Sequence, residues 1–147
     1  MTINQTISKI KKLNNTLSKQ KKKFLFFPTQ AMEQRIKERV FVKGLSTGGL
    51  KRQYSSQSWK LTRSQKGKQI AFVDLNFEGS LVKSFKTEAL PDKVVMGVID
   101  DFNYFDKLGQ EERYRKDTML VPNDTEVDFL VDLVEYSIDF VIDQALI

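Results

Sequence analysis

The chain has 147 residues, 40% hydrophobic and 29% charged, which fits a single globular domain with one core. It has no cysteine and no histidine, so disulfides, thiolate metal sites, thiol nucleophiles and the commonest general base are all excluded. The net charge of +5 conceals a polarity: residues 1–68 carry 17 Lys/Arg against 2 acids and residues 69–147 carry 7 against 17, nets of +15 and −10.

That split points to contact with opposite charge at each end, either nucleic acid on the basic half or the acidic half of a neighbouring copy. Two solvated faces of one monomer give the same pattern. No apolar run approaches the roughly 20 residues of a membrane helix. Phe24-Leu25-Phe26-Phe27 is also too short for a signal-peptide core.

Thr2 to Lys22 reads as an amphipathic helix, with Ile3, Ile7, Ile10, Leu13 and Leu17 at helical spacing and lysines and amides between. The stripe is one residue wide, enough for a seam against one partner helix. Residues 1–23 are thus expected to be a basic helix or arm, and residues 24–147 a single domain. Lys21-Lys22-Lys23, next to Phe24-Leu25-Phe26-Phe27, reads as a solvated face or as a phosphate contact with a hydrophobic anchor. Pro28 is expected to start a second helix, whose buried face is Ala31, Met32, Ile36 and Val40, and Gly44 to end it in the left-handed conformation.

Leu45 to Ser58 reads as a loop carrying Lys51-Arg52. Gly48-Gly49-Leu50-Lys51 lacks the spacing of a phosphate loop. Tyr54 and Trp59, with Lys60 and Arg63 close by, either stack on bases or close a small core. After the basic turn Lys66-Gly67-Lys68, Ile70 to Phe77 nearly alternates apolar and polar residues, the pattern of a half-buried strand. Glu78-Gly79-Ser80 breaks it, Leu81 to Phe85 resumes an extended reading, and Pro91-Asp92-Lys93 turns the chain into the β-branched run Val94 to Ile99. Two or three strands are expected here. Asp74, Glu78, Asp100 and Asp101 are carboxylates of the type that holds a divalent ion, but their spacing does not gather them around one point. Phe102, Tyr104, Phe105 and Leu108 form an aromatic stretch ended by Gly109.

The clearest helix runs from about Asp124 to Ala145, with Asn123 and Glu126 as a capping box. Val127, Leu130, Val134, Ile138, Val141 and Ala145 form one apolar stripe, and Phe129, Leu133, Tyr136 and Phe140 a second. Between them Asp128, Asp132, Glu135, Asp139 and Asp143 form an acidic ridge, with no basic residue anywhere from Pro122 to Ile147. Asp139 and Asp143 sit at the negative end of the helix dipole, so a basic partner is expected, and the N-terminal half is the obvious one.

Three segments together resemble a known family. Arg39-Val40-Phe41-Val42-Lys43-Gly44, followed by Gly49 and Tyr54-Ser55, is one. The second is Val73 to Phe85, which fits acidic-Leu-x-x-x-Gly-x-Leu-x-x-Ser through Asp74, Gly79, Leu81 and Ser84. The third is Tyr104 to Gly109, then Met119-Leu120-Val121-Pro122 and a closing helix. The set is similar to tail-completion, or virion-morphogenesis, proteins at the head–tail neck of tailed bacteriophages. Gln53 stands where glycine is expected, and Asn123-Asp124 lacks the arginine of the family's proline loop.

The resemblance implies an α+β fold, with helices packed on a small antiparallel sheet and a long C-terminal helix. It implies a non-enzymatic virion protein without cofactor or metal, forming an oligomeric ring that joins the DNA-filled head to the tail. Its partners would be further copies and portal, adaptor or tail proteins, with passing contact to packaged DNA and no membrane. It would sit in the virion neck, and in the host cytoplasm during assembly. Candidate contacts with a partner or DNA are Lys21, Lys22, Lys23, Lys51, Arg52, Lys66 and Lys68. The acidic ridge is the candidate contact between subunits. The alternative is a nucleic-acid-binding protein using the basic half.

Overall fold

The computed structural model describes residues 3–75, 78–99 and 118–146. Asp100, Asp101 and the Phe102–Gly109 aromatic stretch lie outside them. Helix α1 runs from Ile3 to Lys37, a π-helical turn from Glu38 to Val42, α2 from Gln57 to Gln65 and α3 from Ser80 to Ser84. Strands β1 (Phe85–Ala89) and β2 (Val94–Val98) follow, and α4 spans Asp124–Leu146. The strands pair antiparallel, Phe85 opposite Val98 and Ala89 opposite Val94. The fold is α+β: a small sheet and a long C-terminal helix, both packed on α1.

Two helices expected at the N-terminus are one. Pro28 does not start a helix; it lies inside α1, buried. It removes the amide that would bond the Phe24 carbonyl, and an interior proline costs an isolated helix about 3 kcal/mol. Burial of Met32, Ile36 and Val40, spaced four apart on the same helix, offsets this. Those residues pack with Phe41, Leu81, Phe85, Met119 and Leu120 into the core, against which Leu130 of α4 also rests.

The π-helical turn explains how Arg39, Val40 and Phe41 are all buried although consecutive. The wider turn, closed by a bond from the Lys43 amide to the Glu38 carbonyl (2.9 Å), swings three adjacent side chains inward. The same i, i+5 spacing brings Lys43 Nζ to 2.8 Å from the Glu38 carboxylate. That hydrogen bond and charge hold the Glu38 carboxyl below its ordinary range.

The strand expected over Ile70–Phe77 is absent over its described residues, Ile70–Leu75, and Leu81–Ser84 is helical rather than extended. The backbone donors of the first stretch are taken elsewhere. The Phe72 amide bonds Gln69 Oε1 (3.2 Å), the Val73 amide the Arg52 carbonyl (2.7 Å) and the Asp74 amide the Tyr54 hydroxyl (3.4 Å). Leu75 has φ 52, outside the β region. Gly79, at φ 80, starts α3. Leu81 and Phe85, four apart, are then both buried at 4% and 2% exposure. The edge of β1 is closed by α1: Glu33 accepts from the Thr87 amide at 2.7 Å and pairs with Lys37 at 2.6 Å.

Arg39 joins the end of α1 to the start of α4. Its Nε and Nη2 reach the Glu126 carboxylate (2.8 and 3.2 Å). Nη1 bonds the carbonyls of Leu45 (3.2 Å) and Met119 (3.0 Å), and Nη2 that of Val121 (2.9 Å). Glu126 also accepts from the Asn123 amide (3.0 Å) while Asn123 Oδ1 accepts from the Glu126 amide (2.9 Å), the reciprocal cap expected for α4. Thr47 reinforces the link, its amide on the Thr118 carbonyl and its hydroxyl on that of Val121, both 2.8 Å. Leu45 to Lys51, expected to be an irregular loop, closes as a tight turn through a Leu45–Lys51 bridge.

Arg39→Met leaves the Glu126 carboxylate buried without its partner, and urea unfolding should show a loss of about 3–5 kcal/mol. Adding Glu126→Gln, which keeps the cap and removes the charge, should raise the stability of that variant rather than lower it. Gly44 has φ 69, and a Cβ there would overlap the Phe72 ring, whereas Gly48 faces open space. Gly44→Ala should therefore cost at least about 1–2 kcal/mol. Gly48→Ala should be near neutral in the same melts.

Candidate interaction surfaces

Most of the residues picked out by the family motifs turn out to be framework. Gly44 is buried beneath Phe72, and Gly49 takes φ 77 in the Leu45–Lys51 turn. Leu81 is in the core, and the Ser84 carbonyl accepts from the Ile99 amide at 2.8 Å. Gly109 lies outside the described residues. Tyr54 and Asp74 meet in a buried cluster that the sequence reading did not foresee, because its third member is Arg63. The Asp74 carboxylate receives Arg63 Nη2 at 2.9 Å on both oxygens and the Tyr54 hydroxyl at 3.0 Å. Arg63 Nε bonds the Gln69 carbonyl (2.9 Å), and its guanidinium lies 4.8 Å from the Tyr54 ring centroid.

This geometry decides between the two roles open to Tyr54: at 8% exposure, beside Arg63 at 1%, it closes a small core and cannot stack on a base, while Trp59 stays 38% exposed. The Asp74 carboxylate is taken up by the Arg63 guanidinium. Among the described residues no three carboxylates gather around a point where a metal ion would sit. No helix among them is long and apolar enough to cross a membrane.

The basic positions fall into two groups. Lys21, Lys22 and Lys23 are exposed on the shaft of α1. There Lys21 and Lys22 face the β1–β2 turn across a groove of about 130 Å³ that also includes Lys19, Asp92 and Lys93. Lys51, Arg52, Lys66 and Lys68 belong to the lobe around α2. Lys51 Nζ lies 4.7 Å from the Phe72 centroid, and the Lys68 amide bonds the Arg63 carbonyl at 2.9 Å. Along α1, Lys21 is about 27 Å from Arg39, to which the Leu45–Lys51 turn is bonded.

The acidic ridge is exposed at all five positions, Asp128, Asp132, Glu135, Asp139 and Asp143. None forms an ion pair among the described residues, so the expected neutralisation by the N-terminal half is not found among them. The reason is rotational. At 100° per residue, the inward positions Glu126, Leu130, Ser137 and Val141 lie about half a turn from the ridge. That inward strip falls between the two apolar stripes, leaving the outer flank of each exposed: Val127 and Val131 on one side, Tyr136 and Phe140 on the other. Ile3, Ile7 and Ile10 of α1 are exposed as well, so no helix among the described residues covers their seam.

Burial and the neighbouring Asp74 carboxylate push the Tyr54 hydroxyl up from its ordinary value of 10.0 to about 12. Between these values the unfolded chain loses the proton while the folded one keeps it, so the stability due to Tyr54, full below pH 10, is lost as pH rises through 12. The gap in melting temperature between the natural protein and Tyr54→Phe should be widest below pH 10 and close by pH 12. A gap independent of pH would mean that the hydroxyl titrates normally.

No protein-family model, no curated protein and no solved structure matches this chain.

Proposed function

We propose that the chain is a non-enzymatic structural subunit of a tailed-bacteriophage virion, forming an oligomeric ring in the head–tail connector. In this reading it works in the virion neck, assembles in the host cytoplasm, and meets further copies and portal, adaptor or tail proteins. The observation that carries it is that one chain exposes two oppositely charged helical faces, lysines on α1 and acids on α4. The charged groups buried among the described residues are used up in holding elements together, Arg39 on Glu126, Arg63 on Asp74 and Glu33 on the Thr87 amide. The outside carries exposed apolar rows beside lysines on α1 and beside acids on α4. A ring needs two different faces that complement one another, and a chain of this polarity supplies them. The family motifs support the same reading, since Gly44, Tyr54, Asp74 and Leu81 shape the scaffold.

The second reading, nucleic-acid binding, draws on the groove that gathers Lys19, Lys21, Lys22 and Lys93. Native mass measurement and DNA titration separate the two. The ring reading expects discrete oligomers whose population rises with protein concentration, and only weak, sequence-independent DNA affinity. A monomer or dimer whose DNA affinity falls steeply with salt would replace the ring with the second reading.

A further inference from the structure

The groove between α1 and the β1–β2 turn gathers positive charge that its own acid does not balance. Lys19, Lys21 and Lys22 stand on one wall, Asp92 and Lys93 on the other, around about 130 Å³. Four ammoniums thus meet one carboxylate, and none of the five groups forms an ion pair among the described residues. Backbone bonds hold the walls in place. The Leu90 amide bonds the Lys93 carbonyl at 2.8 Å and closes the turn, while Glu33 ties β1 to α1 through the Thr87 amide. The excess charge is therefore a property of the fold, since its two walls are far apart in sequence.

The positive charge runs on along α1. At 100° per residue, Lys11 lies about 20° from Lys22 around the helix and roughly 16 Å from it along the axis. Lys12 stands in the same relation to Lys23, and Lys19 falls between these two lines. No acid occurs before Glu33. The lobe around α2 is basic too, but its charges are more engaged: Arg63 is taken by Asp74, and the Lys51 ammonium lies 4.7 Å from the Phe72 ring centroid.

A single phosphate on exposed ammoniums is held weakly, because water and salt screen each contact. A nucleic-acid backbone repeats its charge along its length and meets the groove and the lysines beyond it at once; a duplex, with the denser charge, gains most. Lysine is a point charge that holds phosphate without reading base edges. We propose that the groove and the lysine face of α1 seat the phosphate backbone of a DNA duplex without sequence preference. One phosphate lies between Lys22 and Lys93, and the strand continues past Lys19 towards Lys12 and Lys11. Asp92, the one acid in the groove, opposes the contact. The groove is formed within one chain, so the contact is the same for a monomer and for a subunit of a ring. The inference rests on the nucleic-acid contact of the second reading above and names its site.

The test measures binding of the full chain to a short fluorescent DNA duplex by anisotropy, at several salt concentrations. Lys19→Gln/Lys22→Gln should weaken binding about tenfold or more at low salt and flatten the plot of log affinity against log salt by about two. Lys66→Gln/Lys68→Gln removes the same charge from the lobe around α2 and should weaken binding less than about twofold. Asp92→Asn should tighten it. All five positions are exposed, so each variant should melt like the natural protein.

Equal weakening by the two double variants would reduce the effect to net charge and overturn the site, while DNA binding itself stands. If the natural protein binds no DNA even at low salt, the nucleic-acid reading fails, and this site with it. A lowered melting temperature of Lys19→Gln/Lys22→Gln would mean that an acid of the chain itself already balances the groove, which also overturns the site. Calorimetry with sodium tripolyphosphate separates small phosphate compounds from DNA. Tripolyphosphate binding that the groove variant abolishes, with DNA affinity unchanged, would assign the groove to them instead.

Discussion

The Arg39 guanidinium is the constraint on which the other elements depend. It is buried at 7% exposure, and all of its N–H groups point at acceptors from three separate segments. A buried cation is tolerated only when paired and fully bonded, so each acceptor must sit where the planar fork can reach it. That requirement places the Leu45–Lys51 turn, the Met119–Val121 segment and the first turn of α4 relative to one another. The π-helical turn carries Arg39 into the interior together with Val40 and Phe41. Lysine, with its point charge, has no equivalent geometry.

The Arg63–Asp74–Tyr54 cluster repeats this logic at smaller scale. It holds together a lobe with little regular structure, where side chains rather than a strand ladder satisfy the backbone of Gln69 to Asp74. Buried ion pairs add little net stability against well-packed apolar groups, because desolvation consumes much of the attraction. Their value here is positional. They specify which loop meets which helix end in a small core that would otherwise admit several arrangements.

The sequence reveals elements whose signals are local and hides those decided by distant contacts. Helix α4 is legible because Asn123 and Glu126 cap each other three residues apart, and β2 because Val94, Val95 and Val98 favour extended backbone. Gly44 is legible as a helix end. Ile70 to Phe77 misleads, because its alternation satisfies a strand while its donors find Gln69, Arg52 and Tyr54 instead. Pro28 misleads because a packed helix carries a defect that an isolated one would not. On the surface, the acidic ridge and the isoleucine row can be read directly from their spacing. Which of 24 basic residues turn inward cannot, since Arg39 and Arg63 differ from their neighbours only in what folds over them. Nor does the pattern of α4 say that its inward face lies between the two apolar stripes.

Pro28 has a mechanical consequence. It removes one rung of the helical ladder inside the part of α1 that the sheet and α4 pack against. Helices bend most cheaply where a rung is missing. The missing rung is thus where α1 yields first when its two sides are pushed to different angles, and the strain need not be passed on to Arg39 and the interior. One sequence can in this way meet surfaces at slightly different inclinations while keeping the same folded core.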